Sequence, residues 1–148
     1  MARKLPPISE AIRSKLKKAR VARLATLDSH HRPHIVPICF ADDGEVLYSA
    51  VDRKPKHVAP ERLARLQNIT AEPHVALLID EYDEDWAKLW YVLIRGRGAL
   101  LPAGEEQKKG VALLMKKYPQ YASRDLLPED APVIRIAPER IVSWGRLL

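Results

Sequence analysis

VARLATL (21–27), DSHHRP (28–33), HIVPICF (34–40), ADDG (41–44) and EVLYSAV (45–51) follow one another without a break. Three short runs rich in aliphatic, β-branched and aromatic residues are separated by two groups of turn formers, the pattern of an antiparallel meander. Pro37 falls inside the second run. Lacking an N–H, it cannot serve a central strand and belongs on an edge or at a bulge, where a main-chain group can be left free for a ligand.

Working outward, the same alternation of strand and turn continues. HVALLID (74–80) is continuously apolar, which predicts a strand buried on both faces. LWYVLIRGRGALL (89–101) predicts a long strand that Gly96 and Gly98 allow to bend. Val133–Ala137 and IVSW (141–144) predict two last strand segments. Helices are predicted at 9–19, where Ile8, Ala11, Ile12, Leu16 and Ala19 recur near helical spacing, and at 60–69, with Pro60 in its first turn. A third is predicted at 105–118, stopped by Pro119, with Val111, Leu114, Met115 and Tyr118 on one face. The expected fold is mainly β: a six-stranded antiparallel split barrel with interspersed helices, forming one domain over residues 1–148.

The chain has 148 residues, 47% hydrophobic and 30% charged, an ordinary globular balance. One cysteine, Cys39, excludes an internal disulfide and a cysteine-based zinc cage. It fits a reducing compartment, and with no apolar leader and no apolar run near the roughly 20 residues of a membrane span, a cytoplasmic protein is expected. Net charge is +6, with 25 Lys and Arg against 19 Asp and Glu. The charge sits in two basic patches, Arg13–Arg23 and Arg53–Arg65, opposed by an acidic stretch at Asp80–Asp85. Such an excess attracts anions of several kinds.

YSAVDRKPKH (48–57) carries the most chemistry. A strand ends at the hydroxyl of Ser49, a tight loop delivers Arg53, Lys54 and Lys56, and a helix follows with Arg62 and Arg65. A hydroxyl, several cations and a helix N-terminus together suit a phosphate; a merely solvated basic loop is the plain alternative. The acidic DEYDED lacks the glycine-pivoted ligand order of a calcium loop. His30, His31 and His34 straddle a turn without a fourth ligand, so no metal is expected. Trp90 is assigned to packing, whereas Trp86 and Trp144 could wall a planar ring. No dinucleotide fingerprint, phosphate loop or nucleophile elbow is present, so any redox chemistry must come from a cofactor. The aromatic residues do not interleave with the basic ones as a nucleic-acid stacking platform would, so no nucleic-acid partner is expected.

Taken in order, VARLATL, RPHIVPICF, DGEVLYSAV, DRKPK, RLQNITAEPHVALLID, the acidic loop with Trp86, and the strand ending in RGRG resemble the pyridoxamine 5′-phosphate oxidase class of flavin-binding split barrels. The resemblance covers about residues 17–101, with PERIVSW a weaker C-terminal echo. SAVDRKPKHVAPERLARLQNI and EYDEDWAKLWYV resemble the branch that uses the deazaflavin coenzyme F420. The resemblance implies a homodimer with cofactor sites at the interface, and a small-molecule substrate reduced by hydride transfer. It implies cofactor phosphate near Ser49, Arg53, Lys54 and Lys56, with Lys54, Lys56, Arg62 and Arg65 meeting the coenzyme's anionic groups in series, and the ring along the main chain of Val36, Pro37 and Ile38. Trp86 would approach from the partner and Trp144 would close the pocket. It names no catalytic residue; Tyr91 and His34 are candidate proton donors. An FMN-dependent oxidase or reductase and a non-catalytic coenzyme carrier are the alternatives on the same fold. His34 and Cys39 stand where oxidase-type members carry basic residues, and APERIVSWGRLL lacks their substrate-binding residues, which argues against pyridoxamine phosphate oxidation.

Overall fold

The structure is a computed structural model that describes residues 5–52 and 60–147, with the backbone alone for residues 60–63. Helix α1 (Glu10–Lys18) starts where Ser9 turns extended and its Oγ accepts the Ile12 N–H at 3.3 Å. Glu10 stands in its first turn and Lys15, Lys17 and Lys18 in its last, the order that complements the helix dipole. Strands β1 (Ala22–Leu27) and β2 (Pro33–Ile38) form a hairpin. Asp28 organises its turn, its carboxylate accepting the main-chain N–H groups of His30 and Arg32 at 2.8 and 2.9 Å. The Arg32 N–H, followed by that of His30 and the Arg32 guanidinium, draws the Asp28 carboxyl down to about 2.

Strands β3 (Ala41–Asp42) and β4 (Leu47–Ala50) make the next hairpin, and α2 (Pro60–Ala71) leads into β5 (His74–Glu81). One turn of 3-10 helix at Trp86–Lys88 precedes β6 (Trp90–Leu100). Helices α3 (Glu105–Lys117) and α4 (Gln120–Ser123) then lead to β7 (Val133–Gly145). The strands form one antiparallel sheet in the order β2-β1-β5-β6-β7-β4-β3.

This order cannot lie flat. Seven strands about 4.8 Å apart would separate β2 from β3 by roughly 29 Å. Only Cys39 and Phe40 join them, and three Cα steps reach at most about 11 Å. The sheet therefore curls until its two ends meet at this connection, while beyond it β2 and β4 diverge unpaired: a split barrel. Leu24, Leu77, Ile79, Val92, Ile94 and Ile136 fill the interior with Leu16 of α1 and Phe40. Helix α3 covers the outside of β3 and β4, burying Tyr48, Val111, Leu114 and Tyr118 in a second cluster. Each such side chain contributes roughly 1.5–3 kcal/mol by leaving water.

Three expectations need correction. There are seven strands, not six, because the two-residue β3 is too short to carry a periodic signal. Val133–Ala137 and IVSW belong to one strand of 13 residues, continued past Pro138 by a register shift between Arg95 and Gly96 of β6. β5 is fully buried on its inner face only; Ala76 and Leu78 on the other are half-buried. Among the described residues no helix is long and apolar enough to cross a membrane.

Candidate functional site

Two strands from the sequence argument, β2 and β4, lie on either side of the seam formed by the Cys39–Phe40 link and β3. β2 pairs with β1 alone among the described strands. A proline cannot donate to a ladder, so Pro33 and Pro37 occupy positions whose main-chain groups turn away from β1. By the two-residue repeat Ile35 does the same. The free edge thus offers the carbonyls of Pro33, Ile35 and Pro37 and the N–H of Ile35. Of Val36, Pro37 and Ile38, only Pro37 presents its main chain there, while Val36 and Ile38 turn theirs to β1 and Ile38 is buried.

Across the split, Ser49 is fully buried on β4 opposite Ile134. The strand is held one residue further by the Val51 N–H to the Pro132 carbonyl at 2.9 Å. Asp52, also buried, accepts the Tyr121 hydroxyl at 2.8 Å, which ties the base of the basic loop to α4. Burial, and next this bond to a carboxylate, push the Tyr121 hydroxyl far above its ordinary range. Arg53, Lys54 and Lys56 lie outside the described residues, as does the side chain of Arg62. Arg65 is buried, so it does not join a solvent-facing row of cations.

Under α2 lies a polar cluster that periodicity did not reveal. The Asn68 amide donates to the Thr26 hydroxyl at 3.0 Å, both buried. His34 is the cross-strand partner of Thr26, and its Nδ1 is buried without a hydrogen-bond partner among the described residues. The sequence signal was there in the polar Thr26 within an inward-facing apolar row, but its partners come from two other elements.

The outer face of β1, β5, β6 and β7 carries an apolar strip of half-buried Leu78, Leu93 and Val142. It ends in the stacked rings of Tyr91 and Trp144. Ile35 extends it onto β2, 64% exposed. Beside it runs an open trough of about 370 Å³ lined by Ala25, Leu27, Pro33, Ala76 and Gly96 together with His74, Arg95 and Glu139. That is the low end of ligand-pocket volumes, roughly 300–1,000 Å³. Trp86 stands elsewhere, 72% exposed in the acidic loop with its indole N–H donating to the Tyr82 hydroxyl at 3.4 Å.

A planar ring with an N–H and carbonyls on its rim fits this arrangement. The β2 edge supplies complementary main-chain groups, and the neighbouring trough pairs an apolar floor with His74, Arg95 and Glu139 on its lining.

Residues 8–145 match the family described as Pyridoxamine 5′-phosphate oxidase. A curated relative, the 5a,11a-dehydrotetracycline/5a,11a-dehydrooxytetracycline reductase of Streptomyces rimosus, is 28% identical over 124 residues, covering 83% of this chain and 72% of its own. Among solved structures, the haem storage protein HutZ of Vibrio cholerae superposes with a TM-score of 0.70 at 14% identity, covering 95% of each chain. A FAD-binding protein of Mesorhizobium loti superposes with 0.66 at 20% identity, again over 95% of each chain. At these identities the structural matches speak for the fold.

Proposed function

The chain belongs to the pyridoxamine 5′-phosphate oxidase family, and on that premise we propose that it is an oxidoreductase. It uses the deazaflavin coenzyme F420 to reduce an unsaturated small organic substrate. The observation that carries this reading is the free edge of β2, joined through the two-residue Cys39–Phe40 link to the β3–β4 hairpin whose end feeds the basic loop. One side can hold a ring by its rim, and the other begins a run of cations suited to a phosphodiester and an acidic tail. That the S. rimosus relative is a reductase supports the reductive direction.

When bound, the coenzyme supplies a hydride. The protein's own residues orient and shield. The Pro33, Ile35 and Pro37 carbonyls and the Ile35 N–H align the ring, and Ser49, Arg53, Lys54, Lys56 and Arg62 hold the anionic end. Trp144, already stacked on Tyr91, closes one side. His34 and Tyr91 are the candidate proton donors. Pairing of two copies through the apolar outer strip completes the site, and Trp86 reaches it from the partner. Such a strip, left open on one chain, is the kind of surface that an interface covers.

Parallel fluorescence titrations with F420 and FMN test the reading. Binding at least tenfold tighter for F420, weakened about tenfold or more by Lys54→Ala, is the expected result. Near-stoichiometric FMN on the purified protein would overturn it in favour of a flavoenzyme. Tight F420 binding with no turnover across a panel of enones and quinones would instead identify a coenzyme carrier.

A further inference from the structure

A second cationic site lies where the C-terminal ends of α1 and α3 meet beside β3. A concave surface of about 460 Å³ gathers Arg13, Lys17, Arg20, Lys116 and Lys117 against one carboxylate, Asp42. That carboxylate is already engaged, accepting from Arg13 Nε at 3.1 Å and from the Gly44 N–H at 3.0 Å.

Two of the remaining cations are held in place by main-chain carbonyls. Arg20 donates to the Lys117 carbonyl at 2.8 Å, and the Lys117 ammonium donates to the Leu16 carbonyl at 2.8 Å. The Lys117 ammonium also sits 3.7 Å from the centre of the Phe40 ring. These reciprocal links fix two like charges beside one another. Lys17 and Lys116 stand exposed around them, and among the described residues none of the four has a carboxylate partner.

Charge arithmetic decides whether this is a balanced surface. Each helix C-terminus contributes roughly half a negative charge, and Asp42 one more. Five cations then leave an excess of about three positive charges around one concavity. A solvated lysine face relaxes such repulsion by spreading its side chains, but Arg20 and Lys117 are pinned.

We infer that this groove is a binding site for a small molecule carrying two or three linked phosphates, separate from the coenzyme site. Fixed guanidinium and ammonium donors converging on one concavity match the charge density and tetrahedral oxygens of phosphate. A nucleic acid would want exposed rings to stack on, and here Phe40 and Tyr118 are buried. The groove is built on α1, α3 and β3, whereas the outer strip lies on β5, β6 and β7.

Protonation gives an independent readout. Asp42, Arg20, Cys39 and Tyr118 face Lys117, and burial holds its ammonium down at about 8. A bound polyanion favours the charged form of Lys117, while the cationic groove favours loss of the ligand's own last proton. The Lys117 contribution is therefore the difference in proton linkage between the wild type and Lys117→Met near pH 8.

Calorimetric titration of the full chain with tripolyphosphate, pyrophosphate and phosphate at matched ionic strength tests the inference. Affinity should rise with phosphate number. It should fall at least tenfold in Lys17→Glu/Lys116→Glu, whose side chains are exposed and unpaired, but less than threefold in Lys108→Glu on the first turns of α3. Proton uptake at pH 8, read from heats in buffers of different ionisation enthalpy, should be greater in the wild type than in Lys117→Met, and adenosine diphosphate and triphosphate in parallel show whether a nucleoside adds affinity. The inference fails if tripolyphosphate does not bind below millimolar, or if Lys108→Glu weakens it as much as the double variant. Tenfold tighter binding of a single-stranded oligonucleotide would also overturn it. F420 affinity of the double variant is expected unchanged, so the two sites are tested separately.

Discussion

Tyr91 and Trp144 are register partners on β6 and β7, and their rings stack on the outer face with centroids 5.9 Å apart and planes 20° from parallel. Trp144 is nevertheless 53% exposed. Such a pair gains roughly 0.5–1.5 kcal/mol beyond the area it buries. At the end of the Leu78–Leu93–Val142 strip it continues an apolar surface that a single chain leaves uncovered.

Sedimentation should therefore find the wild-type chain as a dimer. Val142→Glu, at the β7 end of the Leu78–Leu93–Val142 row, should sediment as a folded monomer and lose most of its coenzyme affinity. A monomeric wild type, or a Val142→Glu dimer of unchanged stability, would contradict the proposed interface.

Gly96→Ala should destabilise the chain by about 1–3 kcal/mol, the usual cost of overpacking. An added Cβ there would meet the Ala137 main chain, with its carbonyl carbon at 2.9 Å. A paired backbone cannot move aside. Gly98→Ala meets only side chains of Ile69 and Val75, at 3.2 and 3.3 Å, and should lose clearly less in urea denaturation.

Tyr121→Phe removes the hydroxyl that donates to the buried Asp52 carboxylate. A hydrogen bond to a charged group contributes about 1.5–3 kcal/mol, so a loss of that order is expected. Because Asp52 is the last described residue before the basic loop, coenzyme affinity should fall with it. Tyr48→Phe, which loses a bond to the exposed Glu106 at 2.9 Å, should leave that affinity unchanged.

Stability should rise with pH between about 8 and 9.5 because of Lys117. Burial holds its folded value at about 8, against an ordinary 10.5. In that window the unfolded chain binds more protons than the folded one, so raising pH favours folding. Below 8 both states are charged and the contribution stops changing. Above about 10 the trend reverses, because burial keeps the Tyr118 hydroxyl protonated up to about 12 in the folded state only. Urea midpoints of the wild type minus those of Lys117→Met should show the rise; parallel profiles would refute it.

Much of this was legible along the chain. The helix at Glu10–Lys18 announced itself by the helical spacing of Ile8, Ala11, Ile12, Leu16 and Ala19. Pro37 marked β2 as an edge strand before any sheet order was known. Other features were not legible, for identifiable reasons. β3 has no periodicity to detect, and Tyr121 and Asp52 are 69 residues apart in sequence with nothing local to link them. The buried Arg65 looked like one more member of a basic patch, because charge patterning records sign but not depth.

The sequence by itself determined most of the segments that become strands and helices, β3 excepted, because alternation and prolines act within a few bonds. It also determined the loop that concentrates cations after Ser49, and it carried the resemblance that family membership bears out. The tertiary structure decided what those segments enclose. Curling a seven-stranded sheet onto the two-residue Cys39–Phe40 link brings the β2 edge strand and the β3–β4 hairpin to the same seam. It also brings the ends of α1 and α3 together around Lys117. Both depend on contacts between residues far apart in the chain, which no local pattern encodes.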